Sequence, residues 1–279
     1  MSTDAPEHLA PSALGTRSYW DDIYTREVAN HESNPTDEGT VWFSDAGAEE
    51  KMLEYLERLS DEGFLDKDLE HENGGPSFLD LGTGNGHLLI ALREDGWKGR
   101  LLGVDYSEQS VRLARNVWDE RMRAIRDQWK SGEDGSWQNM ELAGEESQHL
   151  IINDISFTRW DLLKEPAGDW LVDGFEVVLD KGTFDAISLS EEKDEQDRRI
   201  FENYRACVER LVKPGGILLI TSCNWTENEL RSWLEGGDML YEDKVRYPTF
   251  TFGGKTGSQV VTLCFKKKET AAPVGSTNR

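Results

Sequence analysis

The sequence predicts an α/β fold: a doubly wound, mostly parallel sheet of seven strands that ends in an antiparallel C-terminal hairpin. Three observations support this fold class. Short apolar runs alternate with segments of helical periodicity, the pattern of a parallel sheet with helices on both faces. Three closely spaced glycines follow the first apolar run. Acidic residues end four of the runs, at the sheet edge where ligands bind in such folds.

The stretch 78–89 passes from an apolar strand through Gly82, Gly84 and Gly86 into a helical pattern. Glycine adopts positive φ and carries no Cβ, so the backbone of such a turn can approach a ligand at the helix N-terminus. The spacing differs from the dinucleotide fingerprint G-x-G-x-x-G. With Asp80 before it, the D-x-G-x-G-x-G pattern resembles motif I of the class I S-adenosylmethionine (SAM) methyltransferases. A tight turn that binds nothing is the simpler alternative.

The carboxylates at the strand ends favour SAM as the ligand. Asp105 ends the second strand 19 residues (105 − 86) after the last glycine, the distance at which an acid reaches the ribose hydroxyls of a nucleoside. Asp161 and Asp180 end two later runs. SAM offers an ammonium, a ribose diol and an adenine amino group to carboxylates. It has no phosphate, which fits a glycine turn that no Lys or Arg follows closely.

The charge balance disfavours nucleic acids and membranes as partners. There are 31 Lys and Arg against 54 Asp and Glu, a net charge of −23, which repels phosphate backbones and anionic lipids. A basic protein would be attracted, although solubility alone also explains the charge. Three unpaired cysteines (Cys207, Cys223 and Cys264) predict neither disulfides nor a metal site, and Cys223 is interpreted as a small buried side chain. With no membrane span or secretion signal visible, we expect a cytoplasmic protein, with a nuclear location left open.

The helices are predicted from apolar faces and caps. Trp20, Ile23 and Tyr24 share one face of a first helix. Ser107 is a suitable N-cap for the helix after the second strand, and Thr226 opens a T-x-x-E capping box. We expect further helices at 48–59, 88–95 and 195–212, strands at 155–163, 175–179, 217–221 and 260–265, a turn at 214–216, and the first half of the hairpin at 247–252.

The chain is predicted to form one domain, 17–268, between flexible tails at 1–16 and 269–279. Residues 17–76 precede the first strand as an N-terminal cap. A polar, glycine-containing stretch at about 119–148 is predicted to be an insertion, whose first part can extend the preceding helix through Ile125 and Trp129.

One motif narrows the resemblance. The D-K-G-T-F-D run at 180–185 looks like a motif of a small group of seven-strand protein lysine methyltransferases. Together with the runs at 14–24, 41–43, 219–226 and 250–257, it is similar to the translation elongation factor 1-alpha lysine methyltransferase family. The resemblance covers about residues 14–117 and 150–268. It implies methyl transfer from SAM to a lysine of elongation factor 1-alpha, a basic protein that would suit the acidic charge.

The resemblance also implies roles for individual residues. The methionine end of SAM is expected to contact Asp80, Leu81, Gly82, Gly84 and Gly86. Its ribose is expected to contact Asp105, and its adenine Tyr106, Asp161 and Leu162. Trp20 is expected to cover the cofactor. Asp180 is expected where the transferred methyl meets the substrate, with Phe184 beside it as the second catalytic residue. Trp42, Phe184 and Trp225 are expected to shape the substrate lysine's slot.

Two alternative functions stay open at this stage. One is a SAM-dependent methyltransferase of another protein or of a small molecule; the missing N-P-P-[FY] motif argues against adenine or glutamine amides. The other is a SAM-binding interaction module without turnover, whose acidic surface would bind a basic partner.

Overall fold

The computed structural model describes residues 6–67, 75–130, 155–252 and 255–269. The strands are β1 (Phe78–Leu81), β2 (Leu101–Asp105), β3 (Ile155–Arg159), β4 (Phe175–Lys181), β5 (Val212–Ser222), β6 (Met239–Lys244), β7 (Phe250–Phe252), β8 (Lys255–Gly257) and β9 (Val261–Lys267). The α-helices are α1 (Arg17–Ser33), α2 (Ala48–Asp61), α3 (His87–Glu94), α4 (Glu108–Lys130), α5 (Thr183–Ser188), α6 (Tyr204–Leu211) and α7 (Glu227–Leu234). Short 3-10 turns lie at Ala13–Gly15, Ser44–Ala46 and Ile200–Asn203.

The main sheet has seven strands in the order β3-β2-β1-β4-β5-β9-β6. The first five are parallel, and β9 runs antiparallel to both β5 and β6. This confirms the predicted fold class. In the register of the sheet, Leu81 at the end of β1 lies between Val104 of β2 and Asp180 of β4. The glycine turn and the acids that end β2 and β4 therefore meet at one edge.

The sheet separates two apolar cores. One face packs against α1, α2, α3 and α4, with Phe78, Val177 and Leu179 among its strand residues. The other face packs against α5, α6 and α7, with Leu79 and Val178. Neighbouring strand residues thus enter different cores, as the alternation of side chains along a strand requires. Both faces are covered, which explains why most residues of the central strands β1, β4 and β5 are apolar.

The structure corrects the predicted C-terminal hairpin. The antiparallel partner of β9 is β6, and the first half predicted at 247–252 contains β7, which pairs with β8 in a separate two-stranded sheet. Residues 214–216, predicted as a turn, lie within β5. The sequence signal for β6 is weak because buried or partly buried positions of this edge strand alternate with exposed ones, and the apolar Leu240 stands at an exposed position.

The predicted helix at 195–212 is shorter than expected. Its first residues form a turn in which the Asp194 carboxylate accepts from the backbone N–H groups of Gln196 and Arg198, at 2.9 and 3.0 Å. An aspartate that satisfies nearby amides with its own side chain offers the backbone an alternative to a helix. The α-helix α6 begins only at Tyr204. Conversely, α1 continues well beyond the apolar face predicted at Trp20, Ile23 and Tyr24 and ends at Ser33.

The described part of the predicted N-terminal tail packs on the domain. The His8 ring lies 5.1 Å from that of Phe201, and the backbone N–H of Ser12 donates to the carbonyl of Leu189 at 3.1 Å. Residues 6–16 are therefore part of the folded unit. In the predicted insertion, α4 extends to Lys130 as expected, while 131–154 and 270–279 lie outside the described residues. Within the described ranges, no helix has both the length and the apolar character that crossing a bilayer requires.

Candidate functional site

The glycine turn is built so that the backbone stays close to its neighbours. Gly82, Gly84 and Gly86 have φ values of 62°, 58° and 78°, a region that L side chains rarely adopt. A Cβ on Gly82 would lie 2.1 Å from Oγ1 of Thr183. That hydroxyl donates to the carbonyl of Leu81 at 2.6 Å and so ties the end of β1 to the start of α5. Any larger residue at 82 would separate these two elements.

Asp105, the predicted acceptor for the ribose hydroxyls, lies against the glycine turn. Its carboxylate accepts from the backbone N–H of Ser107 at 2.8 Å, from Ser110 Oγ at 2.8 Å and from the N–H of Gly84 at 3.3 Å. These contacts fix the carboxylate against the glycine turn. Burial raises its pKa above the usual range, and the same donors oppose that shift.

A cavity of about 230 Å³ opens at this edge of the sheet. Most of the sequence-predicted site residues line it: Trp20, Trp42, Leu81, Gly82, Asp105, Tyr106, Asp161 and Leu162. Further lining comes from the N-terminal segment (Leu14, Gly15 and Arg17), from α5 and the loop after it (Thr183, Asp185, Ala186 and Ser190), and from the end of β5 (Cys223 and Asn224). The cavity thus connects the carboxyl ends of β1, β2, β4 and β5.

Aromatic rings form one wall of the cavity. Trp20 lies 6.1 Å from Tyr24 in a stacked pair and 5.3 Å from Trp42 in an edge-to-face pair. The indole N–H of Trp20 donates to the carbonyl of Leu14 at 2.7 Å, which fastens the N-terminal segment over the cavity. Phe43 has the left-handed φ of 63° and packs against Gly182, where a Cβ would lie 2.9 Å from its ring. This wall gives the adjoining space an apolar side.

The residues predicted to contact adenine, Tyr106, Asp161 and Leu162, also line the cavity. Arg17 donates to the carbonyl of Tyr106 at 2.8 Å, and its guanidinium lies 5.4 Å from the centre of the Tyr106 ring. The Asp161 carboxylate accepts from the N–H groups of Leu163 and Lys164, both at 3.2 Å. Both side chains are thereby held at the mouth of the cavity.

Six predicted site residues lie outside this described lining: Asp80 and Gly84 line a smaller cavity beside it, and Gly86, Asp180, Phe184 and Trp225 line neither. Asp180 is completely buried, and its carboxylate accepts from the N–H groups of Thr183 at 2.8 Å and Phe184 at 3.0 Å and from the hydroxyl of Tyr204. Because these donors occupy the carboxylate, Asp180 anchors the start of α5 and makes no contact with the cavity.

Phe184 and Trp225 are likewise core residues. Phe184 is 1% exposed and packs on the ring of Tyr204 at 4.8 Å. Trp225 is 3% exposed, and its indole N–H donates to Ser188 Oγ at 3.2 Å. Both rings pack in the core behind α5 and do not line the cavity, where a slot for the substrate lysine was expected from them. Their place in the core follows from packing against α6 and α7, which motif spacing does not show.

The acid that the structure brings to the cavity is Asp185, the last residue of the D-K-G-T-F-D run. It accepts from the N–H of Cys223 at 2.7 Å and from the hydroxyl of Ser222. Burial raises its pKa. The motif resemblance implies no role for Asp185, although its position as the second acid of the run is a signal for one.

The exposure of Cys223 differs from the sequence prediction, which interprets this residue as a small buried side chain. The residue is exposed at the cavity rather than buried. Burial of part of the thiol and the nearby Asp185 carboxylate raise its pKa to about 12, so the side chain stays a neutral thiol. A neutral thiol is a poor nucleophile, which agrees with a site that does not use covalent catalysis.

Asp80 lies beside the main cavity, in a smaller one of about 30 Å³. Gly82, Gly84 and Lys181 line this second space with it. Burial raises the pKa of Asp80 to about 7, and the ammonium of Lys181 opposes that shift. Of the motif I residues, Leu81 and Gly82 line the larger cavity, Asp80, Gly82 and Gly84 line the smaller one, and Gly86 lines neither.

Comparisons with known proteins agree with this arrangement. The crystal structure of the [4+2]-cyclase SpnF superposes with a TM-score of 0.54 at 13% identity, over 96% of this chain and 100% of the other, and shows the fold alone. Residues 72–125 match the family described as a methyltransferase domain. The chain is 31% identical over 263 residues to EEF1A lysine methyltransferase 2 of Danio rerio, covering 94% of this chain and 91% of that protein. It is 38% identical over 266 residues to protein-lysine N-methyltransferase EFM4 of Saccharomyces cerevisiae, covering 93% and 97%.

The chain belongs to this family of protein-lysine methyltransferases. Its family membership confirms the sequence prediction of a methyltransferase that uses SAM. The residues of this methyltransferase fit the cofactor, because the cavity combines a glycine turn without Cβ atoms, the carboxylates of Asp105 and Asp161, and an apolar wall. A nucleoside needs such acceptors for its hydroxyl and amino groups and such a wall for its rings.

Replacing Asp105 with alanine should weaken SAM binding by about 1.5–3 kcal/mol, the value of a hydrogen bond to a charged group. The variant loses the acceptor for the ribose hydroxyls and frees the N–H of Gly84 from its partner. Isothermal titration calorimetry with SAM measures the change. Asp169→Ala, in the loop before β4 and away from the cavity, is the matched control and should bind like the wild type. An unchanged affinity in Asp105→Ala would refute this role.

Proposed function

We propose that this methyltransferase transfers a methyl group from SAM to a lysine side chain of translation elongation factor 1-alpha. The observation that carries the proposal is the 31% identity to EEF1A lysine methyltransferase 2 along 94% of the chain. The net charge of −23 supports a basic protein substrate, and the same charge argues against nucleic acids and membranes as partners. A cytoplasmic location fits this substrate, because elongation takes place on ribosomes.

Methyl transfer requires that the substrate amine is neutral and that it is aligned with the methyl group of SAM. SAM supplies an activated methyl group when bound, so the chain's own task is to position a neutral amine in line with it. A lysine in water has a pKa of ~10.4, so a neutral amine near pH 7 costs roughly 4–5 kcal/mol at ~1.36 kcal/mol per pKa unit. Contact with an apolar wall lowers the pKa of a lysine by desolvation. Trp42 and Phe43 provide such a wall in the cavity.

Asp185 supports the positioning step. Its carboxylate lines the cavity and is fixed by the N–H of Cys223 and the hydroxyl of Ser222. A fixed carboxylate accepts from an incoming ammonium and sets its direction. It also favours the charged form of the lysine, which opposes catalysis. Burial raises the pKa of Asp185 itself. The pKa difference between Asp185 and the substrate lysine is therefore smaller, which eases proton transfer from the lysine.

Methylation of purified elongation factor 1-alpha with radiolabelled SAM tests the proposal. We expect label in that protein, on lysine, and loss of the label when Asp105→Ala replaces the wild type. A parallel reaction with a whole-cell lysate should give one labelled band of the same size. Label in a different protein would indicate another substrate, and label in small molecules would indicate a small-molecule methyltransferase. Absence of label from every fraction, with SAM bound normally, would indicate a binding module.

A further inference from the structure

The smaller cavity has the size and polarity of a subsite for the small, charged end of a ligand. It measures about 30 Å³, room for a few heavy atoms. It shares Tyr24, Trp42, Gly82 and Lys181 with the larger cavity, so the two spaces adjoin. Its remaining lining comes from α3 with the glycine turn (Thr83, Gly84, Asn85 and Leu88), from Asp80 and from Thr40.

Two groups of opposite charge line this subsite. Asp80 is 3% exposed and precedes the glycine turn on β1. Lys181 ends β4, the neighbouring strand. Both side chains leave the sheet on the face of α2 and α3, and the Glu49 carboxylate of α2 is the third charged group that acts on Lys181. Burial lowers the pKa of Lys181, and these two carboxylates oppose the shift.

The ammonium of Lys181 has capacity for a further partner. It donates one hydrogen bond within the described part of the chain, to the carbonyl of Trp42 at 2.9 Å, and an ammonium carries three N–H donors. That bond holds the nitrogen against the wall shared by both cavities. Burying a charged amine is unfavourable in free energy when its N–H donors have no acceptors. An anionic ligand group next to Lys181 would accept from these donors and offset that free energy.

We propose that Lys181 binds the carboxylate at the amino-acid end of the cofactor, in the subsite that it shares with Asp80. The methionyl end of SAM carries an ammonium and a carboxylate on one carbon atom. The Asp80 carboxylate accepts from that ammonium, and the Lys181 ammonium donates to that carboxylate. The family resemblance implies the first contact, and the second follows from the position of Lys181. The lysine of the D-K-G-T-F-D run is thereby assigned to the cofactor, while Asp185 faces the substrate.

Calorimetry with three ligands tests the subsite. S-adenosylhomocysteine has the complete amino-acid end, its decarboxylated analogue lacks the carboxylate, and 5′-methylthioadenosine lacks both charged groups. Lys181→Met should bind S-adenosylhomocysteine at least tenfold more weakly than the wild type and bind 5′-methylthioadenosine within twofold of it. Lys213→Met is the matched control. It also removes a partly buried lysine, one paired with Glu176 at 2.5 Å near the start of β5, and should change neither affinity.

Equal weakening of both ligands in Lys181→Met would overturn the proposal, as would unchanged affinity for S-adenosylhomocysteine. The wild-type protein provides a second measurement that does not depend on a folded variant. It should bind decarboxylated S-adenosylhomocysteine at least tenfold more weakly than the complete ligand, and equal affinity would also overturn the proposal. No protein substrate enters these titrations, so their outcome is independent of the substrate proposed above.

Discussion

Asp185→Asn should slow methyl transfer at least tenfold while SAM affinity stays within a factor of two. Asparagine has nearly the same size and can keep one of the two hydrogen bonds, from Cys223 N–H or from Ser222 Oγ. It loses the charge that orients the substrate ammonium. A misdirected nucleophile raises the barrier of the transfer step more than it weakens the cofactor complex. Single-turnover methylation of elongation factor 1-alpha, with SAM binding measured separately, reports the two effects.

Glu192→Gln is the control for this experiment. Glu192 also lines the cavity, but it is exposed and forms an ion pair with Lys164 at 2.5 Å. An exposed ion pair contributes little, so this variant should react within threefold of the wild type. Equal losses in both variants would show that charge at the cavity mouth, rather than Asp185, controls the rate. A wild-type rate in Asp185→Asn would remove Asp185 from the mechanism.

The sequence predicts well the part of the site that depends on backbone position. Leu81, Gly82 and Asp105 lie at strand ends, and parallel strands bring their carboxyl ends to one edge regardless of how the helices pack. Side-chain direction is a different matter. Asp180 and Lys181 are neighbours at the end of β4, and alternation sends one into the core with Tyr204 and the other towards Asp80. A motif resemblance does not show which of these two side chains enters the core.

Long-range partners account for the remaining differences. The oxygens of Asp180 are occupied partly by Tyr204, a residue 24 positions later in the chain. The strand β6 exists because β9 pairs with it, and its own sequence alternates at a half-exposed edge without a continuous apolar run. The N-terminal segment is held by single contacts such as that between Ser12 and Leu189. None of these partners is visible in local periodicity or spacing.

Asp180→Ala should lower the free energy of unfolding by roughly 2–4 kcal/mol, because it leaves two amides and the Tyr204 hydroxyl without their acceptor in a buried place. The methylation rate per folded molecule should change less than in Asp185→Asn, since Asp180 does not line the cavity. Urea denaturation measures the stability. Tyr204→Phe, which removes one of the three donors and keeps the ring, should lose less than Asp180→Ala.

The effect of Asp180→Ala should depend on pH with a definite sign. Burial raises the pKa of Asp180 to about 7, above the ~3.9 of an unfolded aspartate. The folded protein therefore holds this proton more tightly than the unfolded chain, so the stability that the group contributes is complete below about pH 4 and is lost as the pH rises through about 7. Asp180→Ala should accordingly destabilise the protein more at pH 5 than at pH 8. A variant as stable as the wild type at both pH values, but slow in methyl transfer, would instead support the contact with the substrate that the family resemblance implies.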